Sequence, residues 1–185
     1  MMGDDYLTNP LEFLITTLFS LYIVAVMLRF LLGLVRADFY NPVSQFLVRI
    51  TNPLLIPLRK VIPVIGKFDS AAMLLMFVLQ LAAVTLILLL RGEELSTAIL
   101  VVITLATLLS LLLDVYMFAI IVEVIISWMN PGSYNPVSSL LHSLTNPLLK
   151  PIRHVIPPIA NIDLSPLFAI IALQVFRMLI LPLIV

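Results

Sequence analysis

The chain has 185 residues, of which 62% are hydrophobic and only 11% charged, and its mean hydropathy is +1.20. A soluble domain is nearer half apolar and a quarter charged, so a soluble enzyme, a disordered tail and a nucleic-acid binder are excluded. Ten Lys+Arg balance ten Asp+Glu, which leaves no net field for a polyanion, and the lack of cysteine removes disulfides, thiol catalysis and Cys-ligated metal centres.

A membrane span needs about 20 apolar residues at about 1.5 Å rise each. Four stretches meet that length: 11–35, 71–90, 97–129 and 164–185. The first is flanked by Asp4, Asp5 and Glu12 and is too long for a cleavable signal peptide. The third is predicted as one long helix, because no Gly or Pro interrupts it; a break near Asp114 is the alternative. Ser96 is its expected N-cap and Asn130-Pro131-Gly132 its stop.

An internal repeat with an offset of 94 organises the chain. Tyr40-Asn41-Pro42-Val43-Ser44 returns as Tyr134-Asn135-Pro136-Val137-Ser138, and Thr51-Asn52-Pro53-Leu54-Leu55 as Thr145-Asn146-Pro147-Leu148-Leu149. Pro57, Arg59, Pro63 and Asp69 return as Pro151, Arg153, Pro157 and Asp163, and Gln80 returns as Gln174. Between positions 40 and 69, 18 of 30 residues are identical at this offset. Shared apolar composition cannot match Asn, Pro, Arg, Asp and Gln. The expected architecture is an all-α membrane protein of two parallel repeats, 1–91 and 92–185, each a span, a connector and a span.

Two crossings per unit put both connectors on one face. That face holds Arg36, Arg49, Arg59, Lys60, Lys67, Lys150 and Arg153, against Arg91 alone on the other outside the spans. The positive-inside rule then predicts cytoplasmic connectors and outer termini, in the inner or plasma membrane. Within the connectors, 42–63 and 136–157, Val43, Phe46, Leu47 and Ile50 share a helical face, repeated by Val137, Leu140, Leu141 and Leu144. Asn41 and Asn135 are the expected N-caps, with Pro42 and Pro136 at the first position. A second short helix is expected after each, limited by Pro53, Pro57 and Pro63 and by Pro147, Pro151 and Pro157. Its polar side carries Arg59 and Lys60, or Lys150, Arg153 and His154, the pattern of an amphipathic helix lying in the interface plane beside anionic lipids.

The segment Asn-Pro-Leu-Leu-x-Pro-x-Arg-x-Val-Ile-Pro, present twice and followed in the second unit by Ile162-Asp163-Leu164-Ser165-Pro166, resembles the YggT/YlmG family of small bacterial and plastid membrane proteins. The resemblance covers nearly the whole chain. It implies links to osmotic or ionic stress tolerance, division and nucleoid placement, and cytochrome b maturation in plastids, with no defined biochemical activity. The first unit departs from the motif, since Asp69 is followed by Ser70-Ala71-Ala72.

Four ionisable residues fall inside spans: Arg29, Asp114, Glu123 and Arg177. A mid-bilayer charge costs roughly 2.5–3.5 kcal/mol on insertion scales, so each needs a partner. Arg29 and Glu123 are equivalent under the offset of 94 and are expected to pair across the pseudo-two-fold axis. Asp114 and Arg177 are expected at similar depth. These charges admit three readings: helix orientation alone, an ion or proton path, and snorkelling of Arg29. Gln80 and Gln174 read as interhelical hydrogen-bonding groups or as a polar ring. His142 and His154 align with Val48 and Lys60, so the duplication does not reproduce a metal or haem pair. Asp163, Ser165 and Pro166 suit the start of a helix. No catalytic constellation emerges, and neither cofactor nor metal is expected. Two functional classes remain, a non-enzymatic scaffold or assembly factor and a small ion transporter or channel. Anionic lipid, a membrane-protein partner and a second copy of the chain are the partners the pattern allows.

Overall fold

A computed structural model describes the backbone of residues 4–129, 135–156 and 163–184, with side chains from residue 9 to residue 182 of that range. Six helices follow in order among these residues: α1 (Asp4–Leu34), α2 (Pro42–Val61), α3 (Ser70–Arg91), α4 (Thr97–Met129), α5 (Pro136–Val155) and α6 (Ser165–Ile184). Four are long and apolar enough to cross a membrane: Asn9–Leu34, Ser70–Arg91, Thr97–Met129 and Ser165–Pro182. In hydrocarbon every backbone N–H and C=O must be satisfied within the segment, which leaves the helix as the answer to such sequences. The 33-residue α4 is unbroken at Asp114. Pro157 and the stop at 130–132 lie outside the described residues.

Helices α1 and α3 form an antiparallel pair, as do α4 and α6, and α3 packs against α4 across a short link. Gly92 closes α3 in the left-handed conformation, φ 67°, where a side chain would be strained. Small residues permit close helix approach without a hydrophobic drive. Ala71, Ala72 and Ala83 on α3, Ala106 and Ala119 on α4, and Ala169 on α6 are all buried. The duplication is visible in the burial pattern. Val26 and Ile120, Thr51 and Thr145, Leu55 and Leu149, and Ala71 and Ser165 are pairs 94 apart, and every member is no more than 1% exposed.

Each connector is one continuous 20-residue helix, which corrects the expectation of two short ones. The prolines at 53 and 57 face outward, one helical turn apart, with their rings away from the packed side. The turn before Pro53 is reinforced by side-chain donors. Thr51 Oγ1 donates to Leu47 O at 2.6 Å, Arg29 Nη1 to Val48 O at 3.3 Å, and Tyr22 Oη to Ile50 O at 3.3 Å. Both helices end where a proline follows. Ile62 (φ −115°, ψ 105°) and Ile156 (φ −121°, ψ 92°) are extended, the conformation that a following proline favours.

The connectors touch each other. Asn41 Nδ2 donates to Pro136 O at 2.7 Å, so α2 and α5 lie at the same end of the bundle. At the opposite end, Arg91 grips Glu12 through Nε to Oε1 and Nη2 to Oε2, both at 2.7 Å, which ties the start of α1 to the end of α3. The sequence reading did not anticipate this clasp.

Candidate functional site at the helix elbows

Each repeat makes an elbow where its first span turns into the connector helix and the connector turns into the second span. Asn41 and Asn135 cap the connectors, accepting from Val43 N and Val137 N at 2.9 Å, with Pro42 and Pro136 in the first turn. Asp69 caps α3 through Ala72 N at 3.2 Å, and Asp163 accepts from Ser165 N at 2.9 Å where α6 begins. The first unit therefore keeps its cap without the Leu-Ser-Pro sequence. Pro166 is buried beside Ser165 in the first turn of α6.

Those two aspartates also hold the connectors. Arg59 is paired with Asp69, and Arg153 Nε donates to Asp163 Oδ2 at 2.8 Å. The two pairs are equivalent under the repeat. Arg59 and Arg153 thus turn toward the next span, a correction to their placement on the free polar face; a carboxylate ten residues on is a better partner than water or lipid. Lys60, Lys150 and His154 do face outward. Asn146 Oδ1 lies 3.4 Å from Arg153 Nη1. Pro147 and Pro151 sit in α5 where Pro53 and Pro57 sit in α2, and Pro63 follows the end of α2.

Burial pushes the Asp163 carboxyl upward, but the Ser165 N–H and the Arg153 guanidinium more than offset it, leaving it below the ordinary aspartate range. A depressed folded-state pKa stabilises the fold above the unfolded value of about 3.9 and loses that contribution as pH falls through the folded value. Acid unfolding of Asp163→Asn in detergent is therefore expected to be shallower than that of the parent below about pH 4. An unchanged acid limb would mean that Asp163 titrates alike in both states.

Arg29 and Glu123 do not pair with each other. Arg29 Nη1 donates to Thr51 Oγ1 at 2.7 Å and Asn52 Oδ1 at 2.9 Å. Glu123 accepts from the Thr145 hydroxyl and lies 3.0 Å from His142 Nδ1. Each charge is thus met inside its own repeat, by equivalent threonines. A hydroxyl both donates and accepts, so the same residue serves a guanidinium in one unit and a carboxylate in the other. The connector helix supplies that partner within one elbow, where a cross-repeat pair would need the two first spans to approach at this level. Neither threonine was singled out from the sequence, although both recur in the Thr-Asn-Pro motif. The repeat gives His142 no twin, and it stands beside Glu123, an acid that the other unit also lacks.

Deeper in the bundle, Arg177 Nη1 on α6 meets Asp114 Oδ1 on α4 at 2.6 Å. Gln80 is buried and lines a cavity of about 190 Å³ with Thr16, Ser20, Thr107, Ser110 and Asp114. The hydroxyls of Thr16, Ser20 and Thr107 are not equivalent there, since Ser20 and Thr107 donate to carbonyls of their own helices. Gln174, on α6, is only partly buried and is not among the residues lining that cavity, so the two glutamines do not form a ring around it.

The comparisons with known proteins agree with this repeated architecture. The CCB3/YggT family model matches twice, over residues 8–90 and 102–184. The starts and ends of the two matches are each 94 apart, the offset of the sequence repeat. An uncharacterized protein of Pseudomonas aeruginosa is 47% identical over 170 residues, 91% of this chain and 86% of its own. The uncharacterized protein YggT of Escherichia coli K12 is 36% identical over 173 residues, 92% of this chain and 88% of its own. A protein called ycf19 in Guillardia theta is 33% identical over 63 residues, which are 34% of this chain but 69% of that protein. No solved structure matches. With matches to both halves and relatives spanning nine-tenths of its length, the chain belongs to the CCB3/YggT family.

Proposed function

We propose that this integral membrane protein is a non-enzymatic scaffold or assembly factor that works through the end carrying both connector helices. The observation that supports this reading is the tie between the connectors. Asn41 bonds α2 to α5, and twin Arg–Asp pairs fasten each connector to the span that follows. Such an end is a fixed platform. It presents Lys60, Lys150 and His154 outward, beside Val61 and Val155 at 80% exposure each. Charge and apolar surface side by side suit an amphipathic helix in the lipid interface and a membrane-protein partner docked upon it. By the positive-inside rule the platform faces the cytoplasm of the inner or plasma membrane. Division, complex assembly and stress tolerance are the processes such a scaffold would serve.

The test is cross-linking and affinity purification from native membranes, with Lys60→Glu and Lys150→Glu combined. A specific membrane complex recovered with the parent and lost with this variant is the expected result. Recovery of the same proteins with both would remove the platform from the interaction. A second reading, a small ion transporter contributing to osmotic balance, is favoured by the cavity where Asp114, Gln80 and four hydroxyl residues are set among apolar side chains. It predicts ion flux in proteoliposomes that Asp114→Asn abolishes; the scaffold reading predicts no flux from either protein.

A further inference from the structure

Each of the two elbows borders an open cavity, and the two cavities carry different charge. In the first repeat it measures about 460 Å³, and its lining includes Arg29, Arg36, Arg59, Lys67 and Asp69. In the second it measures about 610 Å³, and the charged residues around it, among the described residues, are Glu123, Arg153 and Asp163. Formal charges of four cations and one anion give +3 in the first; one cation and two anions give −1 in the second. The divergence is written in the sequence. Arg29, Arg36 and Lys67 correspond to Glu123, Asn130 and Asn161, and only Arg59 keeps its cation, as Arg153. A basic cavity is therefore not a by-product of the fold.

Asp69 is the one carboxylate in that lining and Arg59 takes it, so the other three cations there have no matching anion among the described residues. Arg29 has only neutral acceptors, Thr51, Asn52 and the Val48 carbonyl. Arg59 spends one nitrogen on Asp69, while its Nε is buried with no acceptor. Asp38 is nearby in sequence, but its Oδ1 accepts from Tyr40 N and it does not line the cavity. Arg36 adopts φ 54°, the one non-glycine residue with positive φ among the described residues. An arginine there costs strain that a glycine would not. Lys67 sits at the tip of a tight turn closed by Ile65 and Phe68, whose mutual N–H···O bonds are both 3.0 Å, and Phe68 stacks edge-on against Phe30 at 5.4 Å. Apart from Ser44, whose hydroxyl donates to Asp38 O at 2.9 Å, the side chains of the rest of the wall are apolar, among them Phe30, Leu32, Leu47 and Val64.

We propose that the first-repeat elbow is a binding site for a phosphate ester, the headgroup of an anionic phospholipid. Cations that lack counter-ions would complete their hydrogen bonding on phosphate oxygens, to which guanidinium presents paired donors. The apolar wall accommodates the glycerol and the first methylenes. The volume falls in the range of small-ligand sites. The second elbow, which is acidic, would not hold such a group. The site shares the Arg59–Asp69 pair with the platform, but Arg36 and Lys67 line the elbow cavity whereas Lys60 and Lys150 do not.

The experiment measures lipid retention by native mass spectrometry and thermal stabilisation of the full chain in phosphatidylcholine nanodiscs, with and without phosphatidic acid or phosphatidylglycerol. Inorganic phosphate is titrated separately in pure phosphatidylcholine. The parent is expected to retain the anionic lipid. Arg36→Gln with Lys67→Gln weakens retention by about tenfold or more, while Lys60→Gln with Lys150→Gln leaves it nearly unchanged. Arg36→Gly gives a second, independent arm: it raises the melting temperature by relieving the left-handed strain and still weakens retention. Phosphate that binds with the same dependence on Arg36 and Lys67 would keep the site and assign it a soluble anion. No binding of either probe above the phosphatidylcholine background would overturn the proposal, as would equal losses in the two glutamine pairs.

Discussion

Replacing Arg177 with leucine is expected to destabilise the protein by about 3 kcal/mol. The guanidinium is 2.6 Å from Asp114, between α4 and α6, the two span-length apolar helices of the second repeat. Without it a carboxylate would stand unpaired at a level where water is scarce. Asp114→Leu should cost a similar amount for the mirror-image reason. The double replacement should recover most of either loss, because a well-packed apolar pair often equals or exceeds a buried ion pair. Unfolding in mixed detergent micelles would measure all three variants. A double variant no better than either single one would show that the pair is not the source of the cost.

The second large effect separates the two remaining span charges. Arg29→Ala and Glu123→Ala are each expected to cost about 2 kcal/mol, the usual worth of hydrogen bonds to a charged group. The combined variant should lose the sum to within about 0.5 kcal/mol, because each residue is satisfied in its own elbow. Arg29→Ala with Thr51→Val should instead fall short of its sum, since both remove one interaction, and Glu123→Ala with Thr145→Val should behave alike. A coupling above about 1 kcal/mol between positions 29 and 123 would restore the cross-repeat pair and displace the arrangement described above.

Much of the architecture was legible because the bilayer leaves few options. Long apolar runs become spans, Asn-Pro opens a connector, and a motif present twice yields a unit present twice. The uninterrupted α4 followed from the absence of Gly and Pro in it. What the sequence hid was mostly choice of partner. Arg59 and Asp69 recur ten residues apart in both units, and that spacing was a usable signal for a pair. It was overlooked because helical-face reasoning assigns Arg59 to water and stops at the helix end. Arg29 and Glu123 looked paired because unlike charges at equivalent positions suggest attraction. Nothing in the sequence says how far apart two symmetry-related side chains lie, and the hydroxyl one helix away was the nearer solution. Pro53 and Pro57 read as breakers, although an outward-facing proline in a helix reinforced by Arg29, Tyr22 and Thr51 does not end it.

The hydrogen bond from Asn41 to Pro136 joins what the Guillardia theta relative suggests can exist as a shorter unit. Were two separate copies of one such unit to associate, any mutation would appear on both sides at once. A change from arginine to glutamate would then strip the cation from both seats together. Tandem fusion frees each half to drift alone, so a single polypeptide can keep the ancestral contact geometry while giving its two ends of that geometry opposite chemical temperaments.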